Sequence, residues 1–375
     1  MGEKTVTGQK KTGKFKLWYK SRTIFQKIGI FVILIIFINF SVMFSVGQWY
    51  IWSNRNTPLK VGATFIPNYA RYFGLEPQKT FMAMIDELGI RQFRLVSYWS
   101  DIESEQGIYD FTELDWQFEM AERYGAEISL AIGLRQPRWP ECHMPKWAEP
   151  LPMTEWEPKL NDFMKITMER YKDSPSLASY QLENEFFLDV FGICPDHSRE
   201  RLVREFEFVK TVDNTKPIVI SRSNNAIGLP IGDPRPDQFA ISVYKRVWDK
   251  TLTKRYIEYP FPSWFYASLA GGGKILTGKD MIIHELQTEA WLPDTGEFMM
   301  NDIDSIPEQN KSLNAERLVD RIRYGEQTGM KEMDLWGVEW WYWRKSVAGD
   351  PSLWNTAQIE LARIAEQNEK LKNNN

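Results

Sequence analysis

Histidine and cysteine are scarce in this chain, with three of one and two of the other in 375 residues. A histidine-rich metal centre lacks the ligands, and a scaffold held by many disulfides is excluded. There is no Gly-x-Ser-x-Gly elbow for a serine hydrolase. His284-Glu285 lacks the second histidine of a zinc protease, since Thr288 stands at that place. The run Gly271-Gly272-Gly273-Lys274 lacks phosphate-loop spacing and reads as a turn. No short repeat recurs. A basic body is also missing. Eight basic side chains and one acid fall in residues 1–27, leaving 38 basic and 49 acidic residues in the remainder. That acidic body excludes nucleic acid as a partner.

Charge itself is missing from Ile28 to Asn54. The apolar heart, Ile28–Val46, would span about 28 Å as a helix, close to the thickness of a bilayer core. Residues 1–27 then read as a basic, disordered cytoplasmic tail, 28–48 as a signal anchor in the lipid bilayer, and 49–58 as a linker. Trp18, Trp49, Tyr50 and Trp52 stand where interfacial aromatics belong. A cleaved signal peptide is the rival, with small residues at Ser45-Val46-Gly47, although the apolar run exceeds the usual span of about 7–15 residues. The expected location is the cell membrane, single-pass, with the N-terminus cytoplasmic and the rest exported.

From Leu59 onward, strand-like and helix-like runs alternate, as in a parallel α/β fold. The expected strands are 60–66, 92–98, 127–134, 177–185, 216–221, 238–244, 281–287 and 331–340. Eight strands in about 310 residues match a (β/α)8 TIM barrel, placed at 59–368 with a tail at 369–375. A doubly wound sheet is the structural alternative. Two of these strands end in acids. Ser-Tyr-Gln-Leu-Glu-Asn-Glu brings Asn184 and Glu185 to the tip of the fourth, and Met-Ile-Ile-His-Glu brings Glu285 to the seventh. Two carboxyls facing across one pocket are the minimum for glycoside hydrolysis, one protonated and one ionised.

Phe93-Arg94-Leu95, then Tyr98-Trp99-Ser100-Asp101-Ile102-Glu103, Gln106-Gly107-Ile108-Tyr109-Asp110-Phe111 and Leu114-Asp115 resemble the second strand and following loop of clan A glycoside hydrolases. The β-galactosidases of family 42 and the cellulase-like family 5 are the nearest in pattern. The resemblance implies a retaining enzyme needing no cofactor and no metal, with Glu185 as acid/base and Glu285 as nucleophile. It also implies Arg94, Asn184, Tyr244 and a strand-eight tryptophan around the substrate. Trp336, Trp340 and Trp341 compete for that last place, and Trp340 is taken. Glu289 shares strand parity with Glu285 and is the alternative nucleophile, while Glu339 has no assigned role. Trp139, Trp291 and His143 are candidate sugar contacts, each with packing under the loops as its alternative. Trp147 stands with them. Cys142 and Cys194 follow adjacent strands, which predicts a disulfide at the rim, with two free thiols as the alternative. The expected partner is an oligo- or polysaccharide, and the expected function a membrane-anchored β-glycosidase. A transglycosylase shares every catalytic residue, and a glycan-binding pseudoenzyme would share the scaffold.

Overall fold

A computed structural model describes residues 18–19, 21–188, 192–224, 228 and 232–373. Residues 1–17 and 20 of the expected basic tail lie outside the described residues, and its end is not a free tail but helical from Ile24.

Eight parallel strands close a barrel in the order β1 (Lys60–Thr64), β10 (Glu332–Trp336), β9 (Met281–Gln287), β6 (Gln238–Val243), β5 (Ile218–Arg222), β4 (Leu177–Leu182), β3 (Glu127–Ile132) and β2 (Gln92–Val96). All eight expected strands are present, most of them ending earlier than expected. The sequence reading missed an antiparallel hairpin, β7 (Arg246–Asp249) with β8 (Arg255–Glu258), inserted after β6.

Side-chain alternation along each strand sorts the residues between the two faces of the barrel wall. Phe93 and Leu95 on β2, Tyr180 and Leu182 on β4, and Phe239, Ile241 and Val243 on β6 join the main apolar core beneath the surrounding helices. Their alternates, Arg94, Gln181 and Ser242, belong to the barrel interior. Val219, Ala240 and Ile282 form a small separate apolar cluster from three neighbouring strands. Near the strand starts, Gly62 is obligatory, because a Cβ there would lie 2.3 Å from Asp334 Oδ1.

One N-terminal helix runs from Ile24 to Asn54, capped by Thr23, whose side chain accepts the Gln26 N–H while Gln26 returns a bond to the Thr23 backbone. The expected linker at 49–58 is therefore helical through Asn54. At the other end, the expected tail is helical to Asn373, in the last helix Ser352–Asn373. The glycine run also departs from expectation. Gly271, Gly272 and Gly273 lie inside the helix Ser263–Thr277, not in a turn. The reason is packing. A Cβ on Gly271 would meet Val46 Cγ1 at 2.9 Å and Tyr50 Cβ at 3.0 Å, and one on Gly47 would meet the Trp264 carbonyl oxygen at 2.6 Å. The missing side chains let the two helices approach closely. Tyr50 is accordingly buried against the barrel, and not at a lipid interface as its sequence position suggested.

Candidate active site

Glu285 reaches the site through an irregularity in β9. Strand β6 pairs Ile241 with Ile283 and then Ser242 with Glu285; β10 pairs Met333 with Ile283 and then Leu335 with Leu286. Both neighbours thus see one extra residue in β9. A bulge of this kind changes which face the following side chains take. Simple alternation from the core residues Met281 and Ile283 would turn Glu285 outward. The extra residue sets it instead beside the inward-facing Ser242.

There it is held by two partners. Arg94 Nη1 donates to Glu285 Oε1 at 2.8 Å, and the Tyr244 hydroxyl donates to Oε2 at 2.9 Å. Burial and then the Glu285 charge push the Tyr244 phenol well above its ordinary range, so it remains a donor. Arg94 is wholly buried and its fork is filled. Nε donates to Gln181 Oε1 at 2.5 Å, Nη2 to Asn184 Oδ1 at 2.6 Å, and Nη1 also to the His284 carbonyl at 3.2 Å. One guanidinium therefore sets Glu285 and Asn184 in a common frame.

Glu185 lies past the end of β4, where the backbone turns sharply. Glu183 and Glu185 both have positive φ, 57° and 42°. Side chains with a Cβ visit that region at a cost that the surroundings must meet. They do so here with hydrogen bonds. Glu183 accepts the backbone N–H groups of Leu134 and Arg135 at 2.8 and 2.9 Å and pairs with Arg201 at 3.0 Å. The Glu185 N–H donates to Ser221 Oγ at 3.0 Å. Glu183 is thus a brace for the turn that carries Glu185. Burial, then the Glu285 charge, push the Glu185 carboxyl up to about 7, against the pull of the Ser242 and Ser223 hydroxyls and of Arg94.

A third acid was not foreseen. Glu141 is buried and pairs with Arg135 at 2.6 Å. Burial and the Glu185 charge push its carboxyl up, to about 9, with Arg135 opposing. Glu141 adjoins Cys142, and Cys142 is joined to Cys194 by a disulfide with the Cα atoms 5.3 Å apart. The bridge predicted from strand adjacency is therefore present. Only the adjacency of Glu141 to a bridged cysteine could have pointed to it in the sequence.

Glu289 lies beyond the end of β9. It takes the Tyr69 hydroxyl and both Nη atoms of Arg138, at 3.3 and 3.4 Å. The Arg138 guanidinium sits 3.3 Å from the Tyr69 ring centroid and 4.4 Å from that of Trp336. Glu339, which had no assigned role, accepts the Ile66 N–H at 2.8 Å, and burial raises its carboxyl to about 7. None of Tyr69, Arg138 and Trp336 was chosen from the sequence.

The remaining candidates divide. Trp340 is a correction: the eighth strand stops at Trp336, so Trp340 falls in the helix Val338–Ser346. It is fully buried there, donating to Gln309 Oε1 at 3.1 Å, and Trp336 holds the strand-end position. Trp291 packs edge-on against Tyr244, with ring centroids 5.7 Å apart, which keeps it beside the acids. Trp139 is 74% exposed on the rim. His143 stacks on Tyr98 at 3.5 Å, and burial lowers it to about 4, which leaves it neutral. Trp147 donates its indole N–H to the Glu103 carbonyl at 2.8 Å and serves the loop.

No family model and no curated protein matches the chain. Solved structures do. A GH5_18 enzyme from Bifidobacterium longum, in complex with Manβ1-4GlcNAc, is similar with a TM-score of 0.53 at 10% identity, over 81% of this chain and 78% of that one. A cold-adapted β-galactosidase from Rahnella has a TM-score of 0.50 at 12% identity, over 84% of this chain and 56% of that one. A GH5_18 protein from Streptomyces cattleya, in complex with GlcNAc, has a TM-score of 0.50 at 10% identity, over 74% of this chain and 70% of that one. The chain spans about half the length of the β-galactosidases it matches. These likenesses agree with the strand order in identifying the fold as a closed, eight-stranded (β/α)8-type barrel.

Proposed function

We propose that the chain is a retaining glycoside hydrolase acting on β-linked saccharides, held at a membrane by its N-terminal helix. The observation that carries the reading is the unequal treatment of two buried acids. Glu285 is clamped by a guanidinium and a phenol, the contacts of an ionised carboxylate. Glu185 is raised to about 7 by burial and by the Glu285 charge, which keeps it protonated. Such a pair meets the two demands of double displacement. Glu285 attacks the anomeric carbon and Glu185 gives its proton to the departing oxygen. Glu185 then takes a proton from water, which attacks the anomeric carbon and breaks the glycosyl–Glu285 ester. Asn184, fixed by Arg94, is suited to hold the sugar 2-hydroxyl. The same residues serve a transglycosylase, with a second sugar hydroxyl in place of water.

The anchor rests on one helix, Ile24–Asn54, long and apolar enough to cross a membrane, and on a disulfide suited to an exported domain. The test is a panel of aryl and natural β-glycosides with the detergent-solubilised chain. Glu185→Ala should spare kcat/KM on aryl glycosides whose leaving groups need no proton while lowering their kcat, because the second step loses its base. It should lose kcat/KM on natural ones by about 10²–10⁴-fold. Wild-type turnover by Glu285→Gln on every accepted glycoside would refute the mechanism.

A further inference from the structure

The N-terminal helix does not merely tether the barrel, because its docking fixes which end of the barrel the apolar segment leaves from. The helix Ser263–Thr277 connects the insertion after β6 to the start of β9, so it descends from the strand-end face, where the acids lie, to the opposite face. The N-terminal helix runs beside it in the same direction. Phe40 and Phe44 pack edge-on against Trp264, with centroids 5.2 and 5.4 Å apart. Gly47 lies against Trp264 and Ser268, Val46 and Tyr50 lie against Gly271, and Ile51 lies against Gly329 just before β10. Residues earlier than Phe40 must therefore project past the barrel on the side of the active-site mouth. Residues 31–40 are all exposed.

The lengths then set the depth. From Ile28, the first residue of the uncharged run, to Asn39 the helix rises only about 18 Å, against a hydrocarbon core of about 30 Å. The missing 12 Å or so must be found alongside Trp264 and Ser268. The rim nearest that helix therefore reaches through the headgroups to the edge of the hydrocarbon. Its composition fits. The β7–β8 hairpin leads directly into this helix and carries Leu252, 87% exposed at its tip, beside the exposed cations Lys254 and Arg255. Lys250 pairs with Asp294 at 3.3 Å, and Asp249 accepts the tip's backbone N–H groups. An apolar tip with Lys254 and Arg255 beside it suits an interface with anionic headgroups. Ile193, 97% exposed, and Trp139 project from other loops of the same face.

We infer that the barrel stands with its active-site mouth toward the membrane, and that its substrate is a glycan carried on a lipid of the adjoining leaflet. This rests on the anchoring and glycosidase readings above. A freely soluble polymer would have to enter the mouth against the bilayer. A sugar headgroup is already presented at that depth.

Two exposed apolar residues at opposite ends of the barrel permit a test. Leu252 marks the mouth side, and Leu276, near the end of the docked helix, marks the far side. The full chain, with its native disulfide intact, would carry Leu252→Cys or Leu276→Cys labelled with an environment-sensitive fluorophore in phosphatidylglycerol/phosphatidylcholine vesicles. The expected result is a blue-shifted label at 252, quenched at least twofold by doxyl-lipids, and an unquenched label at 276. The reverse pattern, or no quenching in chain that floats with the vesicles, overturns the orientation alone. Chain that fails to float overturns the anchoring reading, and this inference with it. For the substrate, Leu252→Glu should lower turnover of glycosyl-diacylglycerols in vesicles at least tenfold while leaving soluble aryl glycosides unchanged. Equal loss on both, or loss on neither, overturns the lipid-linked substrate. Inactivity of the wild-type chain on every glycoside overturns the glycosidase reading while the quenching result stands.

Discussion

Removing the Arg94 guanidinium is the most informative single perturbation, because one buried group serves Gln181, Asn184, Glu285, the His284 carbonyl and, at 3.5 Å, Thr64. In Arg94→Met, Glu285 stays buried with only Tyr244 as a partner, and Asn184 and Gln181 each lose a charge-assisted bond. Breaking one side of a buried ion pair costs about 3–5 kcal/mol. Lost transfer of the apolar stem is offset by methionine, which is similar in volume, so the electrostatic loss dominates. A loss of that size lowers Tm by roughly 5–8 °C in a domain this large. The double variant Arg94→Met with Glu285→Leu leaves neither charge stranded, and apolar replacements of whole pairs are often neutral. It should therefore cost no more than either single change. Denaturant titration of the detergent-solubilised chain, followed by tryptophan fluorescence, measures all four corners of the cycle. Additive single losses, or a loss below about 1 kcal/mol for Arg94→Met, would refute the claim that this pair organises the site.

Because Glu185 must be protonated to act as an acid and is raised to about 7, kcat/KM should fall as pH rises through about 7, and Glu185→Gln should abolish that limb. Asp334 is raised to about 8 by burial and then by Glu332, so the folded chain binds more protons than the unfolded chain between about pH 4 and 8. Its contribution turns increasingly unfavourable across that window. Asp334→Asn should therefore raise Tm more at pH 8 than at pH 5, and equal shifts at both would count against it. Replacing Cys142 and Cys194 together by serine opens a loop of 52 residues in sequence separation, worth about 4 kcal/mol in the chain-entropy account. The same change frees Glu141 beside Glu185. A lower denaturation midpoint with a displaced pH–rate profile is expected, and an unchanged profile would show that Glu141 does not bear on Glu185.

Much of this molecule is local and therefore legible in the chain. Alternation sends Phe93 and Leu95 to the core and Arg94 inward, and eight such strands, most of them spaced by helices, close into one architecture. The two acids, the apolar helix and the paired cysteines carry residue-type signals that survive without coordinates, whereas Arg94 and Tyr244 were singled out only by the family resemblance. What the chain could not disclose depends on neighbours distant in sequence. The inward turn of Glu285 comes from one extra residue in β9 relative to both adjoining strands, and alternation alone would have turned it away. Trp340 lost its place because β10 stops at Trp336, while Glu141 and Arg138 gained theirs through contacts with Arg135 and Glu289. Three consecutive glycines suggest a turn by propensity, but close packing of a second helix made them part of a helix. That same packing, invisible to any local pattern, decides which end of the barrel the apolar segment leaves from.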